Sequence, residues 1–173
     1  LTPEISGQDY IFGTPLTFGV DSTALPYIVS GISGTDEGNY TWTVGKEVLF
    51  QFPLESLPEK DISISINTVS VFVGNGPQEV IVSVNDEVCF QQFVDKSGTI
   101  TIKVPKEIAC KSEIMALKLY LPDAISPLEL YGDAAYDSRE LSLAIKELCI
   151  EEIEEECMQE VEEIPLLSLE DGV

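Results

Sequence analysis

Residues 62–67 read Ile62-Ser63-Ile64-Ser65-Ile66-Asn67. An apolar side chain at every second position, with a polar one between, is the period of a β-strand buried on one face. A helix would scatter those isoleucines around its circumference. The pattern recurs down the chain. Val80, Val82 and Val84 alternate with Ile81, Ser83 and Asn85; Ile100, Ile102 and Val104 alternate with Thr99, Thr101 and Lys103; Met115, Leu117, Leu119 and Leu121 alternate with Ala116, Lys118 and Tyr120. Upstream, Glu47-Val48-Leu49-Phe50-Gln51-Phe52-Pro53-Leu54 reads as a further strand, and Asn85-Asp86 before Val88-Cys89-Phe90 reads as a hairpin turn. Residues 1–35 are rich in Gly, Pro, Ser and Thr, with short runs such as Tyr10-Ile11-Phe12 and Tyr27-Ile28-Val29, and read as short strands and turns. Strands spaced roughly 10–18 residues apart, with turn signals and no long amphipathic helix between them, specify an all-β fold, an antiparallel β-sandwich, and argue against βαβ units.

Two stretches read differently. Residues 122–138 run through Pro122-Asp123-Ala124-Ile125-Ser126-Pro127, Gly132-Asp133 and Tyr136-Asp137-Ser138, a long loop of the kind that often carries function. The segment Leu141–Ile150 fits a helix through Leu141, Ala144, Ile145 and Leu148, and a strand through Leu141, Leu143 and Ile145. After it, Ile150, Ile153, Cys157, Val161 and Ile164 share one helical face, ended by Pro165. The opposite face is nearly all Glu, so such a helix would need a docking surface; the alternative is a solvated tail. The expected division is a sandwich over 1–150 and an acidic C-terminal helix or tail over 151–173.

The 173 residues carry 31 Asp+Glu, 9 Lys+Arg and no His, a formal charge of −22. Ten of the acids and none of the bases fall in 151–173, so the body carries −12 and the tail −10. This charge disfavours nucleic acid and anionic lipid as partners. Without His, Ser-His-Asp and Cys-His catalysis and His-ligated zinc are excluded within this chain. No run of 18 apolar residues exists, so direct membrane insertion is not expected, and no signal peptide is visible. The chain does not begin with Met and reads as a fragment or a mature product. Cys89, Cys110, Cys149 and Cys157 lack zinc-ribbon spacing and mostly read as buried thiols.

Catalytic motifs are weak. Gly31-Ile32-Ser33-Gly34-Thr35 lacks the last glycine of a nucleophile elbow, and Gly74-Asn75-Gly76-Pro77 lacks the context of a dinucleotide loop. Carboxylate pairs are unavoidable at this acid content, so the expected role is non-catalytic. No cofactor is implied, although Asp36, Glu37, Asp133 and Asp137 could offer oxygens to Ca²⁺. Asn39-Tyr40-Thr41 matches a glycosylation sequon. Two residues are singular: Trp42, the only Trp, and Arg139, the only Arg. Glu37, Tyr40 and Trp42 place acid and aromatic groups beside Gly38. Aromatic faces stack on sugar C–H surfaces, while carboxylates and guanidinium bind hydroxyls directionally. The ligand-binding candidates are therefore Glu37, Tyr40, Trp42, Asp137 and Arg139. The structural alternative has Trp42 filling the core and Arg139 pairing with Asp137 or Glu129 to pin the loop.

Three spaced motifs carry a resemblance. They are Gly31-Ile32-Ser33 through Glu37-Gly38 and Thr41-Trp42-Thr43 to Glu47-Val48-Leu49-Phe50; Leu119-Tyr120-Leu121-Pro122-Asp123-Ala124-Ile125-Ser126-Pro127-Leu128-Glu129-Leu130; and Asp137-Ser138-Arg139-Glu140-Leu141 onward to Ile150. Over residues 10–150 the chain resembles carbohydrate-binding-module-like β-sandwich domains appended to bacterial membrane glycosyltransferases and sulfatase-like phosphoglycerol transferases. Ile32 stands where that family carries Trp, and Ser142 where it carries Gly. The resemblance implies a jelly-roll accessory domain, extracytoplasmic at the cell surface, with Leu141–Ile150 a strand. It also implies a glycan or polysaccharide partner, a membrane-embedded or catalytic region in the same polypeptide, and Glu37, Trp42 and Arg139 clustered where the early and late loops meet. The competing expectation is a protein-interaction scaffold that docks through the C-terminal helix.

Overall fold

The computed structural model describes residues 8–33, 38–74 and 76–154. Ten strands form two five-stranded sheets: β1 (Leu16–Thr17), β2 (Ile28–Ser30), β3 (Thr41–Trp42), β4 (Glu47–Pro53), β5 (Ile62–Val71), β6 (Gln78–Val84), β7 (Glu87–Val94), β8 (Gly98–Val104), β9 (Ile114–Tyr120) and β10 (Leu143–Glu152). The first sheet runs β1-β10-β5-β8, with β3 also on β10; the second runs β2-β4-β9-β6-β7. All these strand pairs are antiparallel.

The pairings nest. β6 pairs β7, β5 pairs β8, β4 pairs β9 and β3 pairs β10. One long hairpin, with its tip at Asn85-Asp86, has thus been wound on itself until its two arms alternate between sheets. That winding is a jelly roll, so the expected sandwich is present. At the tip, Asn85 and Asp86 have φ of 50° and 71°, the left-handed pair that a two-residue turn needs to match strand twist. Asn85 further secures the tip: its side chain donates to the Ile108 carbonyl at 2.8 Å and accepts from the Ala116 N–H at 3.0 Å.

The alternating residues meet between the sheets. Ile62, Ile64, Ile66, Val80, Val82, Val84, Ile102, Val104, Leu117 and Leu119 are all wholly buried. Each such side chain gains about 1.5–3 kcal/mol over exposure, which is why this pattern fixes the register. At one end Tyr10 closes the core. Its ring meets Tyr27 and Phe52 edge-on, its hydroxyl donates to the Thr14 carbonyl at 2.6 Å, and the hydroxyl oxygen accepts the Ile150 N–H at 2.9 Å.

The ambiguous segment is a strand: β10 pairs β5 over its whole length, from Leu143 opposite Val71 to Glu152 opposite Ile62. Two expectations need correction. Helix α1 (Lys106–Ala109) follows β8, and the loop 122–138 contains a one-turn helix, α2 (Pro127–Tyr131), capped by Ser126 Oγ accepting the Glu129 N–H at 3.0 Å. And the helix expected from Ile150 does not start there. Ile150, Glu151 and Glu152 remain strand, because Ile150 is needed in the core and Ile153 still donates to the Asp61 carbonyl at 2.8 Å. Beyond Glu154 that helix lies outside the described residues. Cys89, Cys110 and Cys149 are free and half-buried rather than buried, since β7 is an edge strand and Cys149 faces outward from β10. Cys157 is not described.

Candidate functional site

Arg139 organises one end of the sandwich. The residues before it fold back: the Asp137 carboxylate accepts the Arg139 backbone N–H at 3.0 Å, the short side-chain-to-backbone turn that Asp favours. This aims the guanidinium at the same carboxylate, with Nε 3.0 Å from Oδ1 and Nη2 2.8 Å from Oδ2, a bidentate pair. Nη1 donates to Ser33 Oγ at 3.0 Å, so the pair ties the late loop to the early one. Hydrogen bonding by Arg139 holds the Asp137 carboxyl below its ordinary range. Both side chains keep about a third of their surface in water, at 29% and 33%. Ion pairs this exposed contribute under about 1 kcal/mol, so stability alone is a weak reason for the arrangement.

Neighbouring elements set the frame. The Leu128 N–H donates to the Asp137 carbonyl at 2.9 Å, joining α2 to the loop. Gly74 lets the 72–74 turn press on α2: a Cβ there would fall 2.4 Å from Leu130 Cδ2 and 2.7 Å from Tyr131 Oη. On the early side, the Ser33 N–H donates to the Trp42 carbonyl at 2.9 Å and Ile32 bridges Thr43. Gly31, with φ of 91°, sits where a Cβ would lie 2.2 Å from the Glu47 carbonyl oxygen, so only glycine permits this approach. The Gly45 N–H then donates to the Glu140 carbonyl at 2.9 Å.

Of the five sequence candidates, Asp137 and Arg139 are in direct contact. Trp42 is linked to them through its backbone, whose carbonyl accepts the Ser33 N–H. It is half-buried rather than in the core, opposite Ala144 in the β3–β10 register. Tyr40 is also half-buried, and its backbone packs closely on Gly19. Glu37 lies outside the described residues, as does Asp36. Of the structural alternatives, the Arg139–Asp137 pair exists, while a core role for Trp42 does not. No group of three or more His, Cys, Asp or Glu able to hold a metal occurs among the described residues.

Sequence reasoning missed three participants. Ser33 stands in the elbow-like stretch Gly31–Thr35, yet its hydroxyl accepts from Arg139. Tyr136 is 89% exposed and Tyr131 is 58% exposed on the same late loop; aromatics in a polar Gly- and Pro-containing loop were the available signal. A recess of about 340 Å³ opens beside Ser33, bounded by Phe18, Val20, Leu25, Ile28 and Ile32. It is assembled from segments distant in sequence, which no local pattern reveals.

No family model matches the chain, and no curated protein matches it in sequence. Solved structures do resemble it. A family 35 carbohydrate-binding module from Clostridium thermocellum aligns over 82% of this chain and 100% of its own, with 6% identity and a TM-score of 0.46. A family 35 module from an environmental isolate aligns over 80% and 85%, with 14% identity and a TM-score of 0.41. A family GH115 4-O-methyl-alpha-glucuronidase with specificity for decorated arabinogalactans aligns over 85% of this chain, with 9% identity and a TM-score of 0.49; the chain spans 18% of its length. The jelly-roll assignment rests on the nested strand pairing itself.

Proposed function

We propose that the sandwich is a non-catalytic glycan-binding module, extracytoplasmic, serving a protein that builds or modifies cell-surface polysaccharide. The observation that carries this is the Arg139–Asp137–Ser33 constellation, whose Ser33 also lines the 340 Å³ recess and donates its backbone N–H to the carbonyl of half-buried Trp42, with exposed Tyr136 next to Asp137 in the chain. A sugar presents hydroxyls in fixed directions and a flat C–H face. The constellation offers fixed donors and acceptors, and the two aromatics offer faces to stack on. The carbohydrate-binding modules among the structural neighbours agree with this reading. Hydrogen bonding by Arg139 keeps the Asp137 carboxyl below its ordinary range, so Asp137 presents an acceptor to a ligand hydroxyl.

Calorimetry against a panel of neutral oligosaccharides tests it. Arg139→Gln and Trp42→Ala should each weaken binding at least tenfold, the cost of a directional contact or one stacked face. Their unfolding midpoints should stay within a few degrees of the parent. Variants that bind as the parent does would remove this site from consideration.

A further inference from the structure

Each sheet ends on the same side of the sandwich in a long strand. Among the described residues, β7 is the last strand of the second sheet and β8 the last of the first. The opposite margins are short: β1 and β3 have two residues each and β2 three. A free edge leaves backbone N–H and C=O groups without a strand partner, and proteins ordinarily blunt it by shortness, lysine or proline. The short strands follow that rule, and β8 carries Lys103. β7 does not. Its stretch Val88-Cys89-Phe90-Gln91-Gln92-Phe93-Val94 holds no charge and no proline, in a chain that is 23% charged. The pairing with β6 passes from Val82–Phe90 to Ser83–Val88, which leaves Cys89 as a bulge and Phe90–Val94 as the regular edge.

Side chains on this edge are incompletely covered. Phe90, Gln92 and Val94 stand opposite Val82, Val80 and Gln78 on the inward side, while Gln91 and Phe93 stand opposite Ile81 and Glu79 on the outward side. Gln92 is exposed, and Phe93 keeps 65% of its surface in water. A cleft of about 300 Å³ separates Phe90, Gln92 and Val94 from Gly98 and Ile100 of β8. The two ends of the edge carry both signs. Glu87 pairs with Lys111 at one end, and Asp95 and Lys96 follow Val94 at the other. Antiparallel pairing with an identical edge therefore brings Glu87 toward Lys96 and Asp95 toward Lys111. Parallel pairing would set each end against itself.

We propose that β7 pairs antiparallel with β7 of a second copy of this chain, joining two five-stranded sheets into one continuous sheet about a two-fold axis. Paired residues share a face, so a symmetric register must centre on a residue rather than between two. Centring on Gln92 pairs all five regular residues: Phe90 with Val94, Gln91 with Phe93, and Gln92 with its own counterpart. The two Gln92 amides, each donor and acceptor, hydrogen-bond across the axis, and Phe93 leaves water. A closed two-fold contact stops at two copies. The net −22 makes the copies repel elsewhere, so an uncharged edge is the surface suited to self-association, and added salt favours it. A five-residue ladder is small beside the ~1,600 Å² of a standard interface, so pairing depends on concentration. The contact does not depend on the Arg139 constellation.

Sedimentation velocity of the full chain over a concentration series, at low and at raised salt, tests it. The parent should pass from one copy to two as concentration rises, and at lower concentration when salt is added. Gln92→Lys sets two cations against each other on the axis and should weaken dimerisation at least tenfold. Thr101→Lys, on the neighbouring β8 edge, should leave it unchanged. Circular dichroism checks that both variants stay folded; if Gln92→Lys does not, Phe93→Thr takes its place and should weaken dimerisation likewise. A parent that stays monomeric at every concentration, a dimer that these β7 variants leave intact, or growth beyond two copies would overturn the proposal.

Discussion

At the scale of single residues, polar bonds at the two ends of the sandwich do different work. Tyr10 is 1% exposed, and its hydroxyl both satisfies Ile150 N–H and bonds the Thr14 carbonyl. Replacing it with Phe leaves that buried N–H unpaired, so denaturant unfolding of Tyr10→Phe should show a loss of about 1–3 kcal/mol. Burial also pushes the Tyr10 hydroxyl well above its ordinary pKa of 10.0. Above about pH 10 the unfolded chain releases this proton and the folded chain does not, so stability falls as pH rises. Tyr10→Phe should shrink that alkaline slope; an unchanged slope would mean the hydroxyl ionises freely. Arg139 and Asp137 sit in water by comparison, and their pairing matters for shape more than for stability.

At the scale of elements, the alternation around Ile62, Ile64 and Ile66 and its repeats made the long strands legible, because half-burial imposes a period of two. Asn85-Asp86 likewise declared the hairpin tip. There, Asp86→Gly should leave the unfolding midpoint near that of the parent, while Asp86→Val should cost about 1–2 kcal/mol in urea denaturation, since φ of 71° is strained for a β-branched side chain. The segment Leu141–Ile150 was not decidable by periodicity. β10 changes edge partner from β3 to β1 through irregularities around Ile145, and those shift the inward set out of simple alternation. The helical reading after Ile150 failed at its first residues for a tertiary reason: β5 offers partners down to Ile62, and continuing the sheet satisfies more backbone than starting a helix would. Turn helix α2 was invisible because one turn is too short to show a period.

At the scale of the whole molecule, sandwich and jelly roll follow from strands whose inward faces need each other. The candidate site was only half legible. Arg139 stood out by scarcity and Asp137 by adjacency, but Ser33 and the recess walls come from segments over 100 residues away along the chain. A net −22 also sets a general expectation. Self-repulsion opposes compactness, and salt screens it over about 8–10 Å at physiological strength. The unfolding midpoint should therefore rise when NaCl is added to a low-salt buffer, a trend that scanning calorimetry would detect. A flat or falling response would place the charge too far apart to matter.

The central claim is that glycan binds where Arg139 joins the two loops. Backbone and indole amide shifts, followed while a neutral polysaccharide fragment is titrated into the labelled chain, test it most directly. Perturbations are expected at Ser33, Trp42 and 136–139. Shifts confined to residues away from these two loops, or none with any glycan offered, would contradict it.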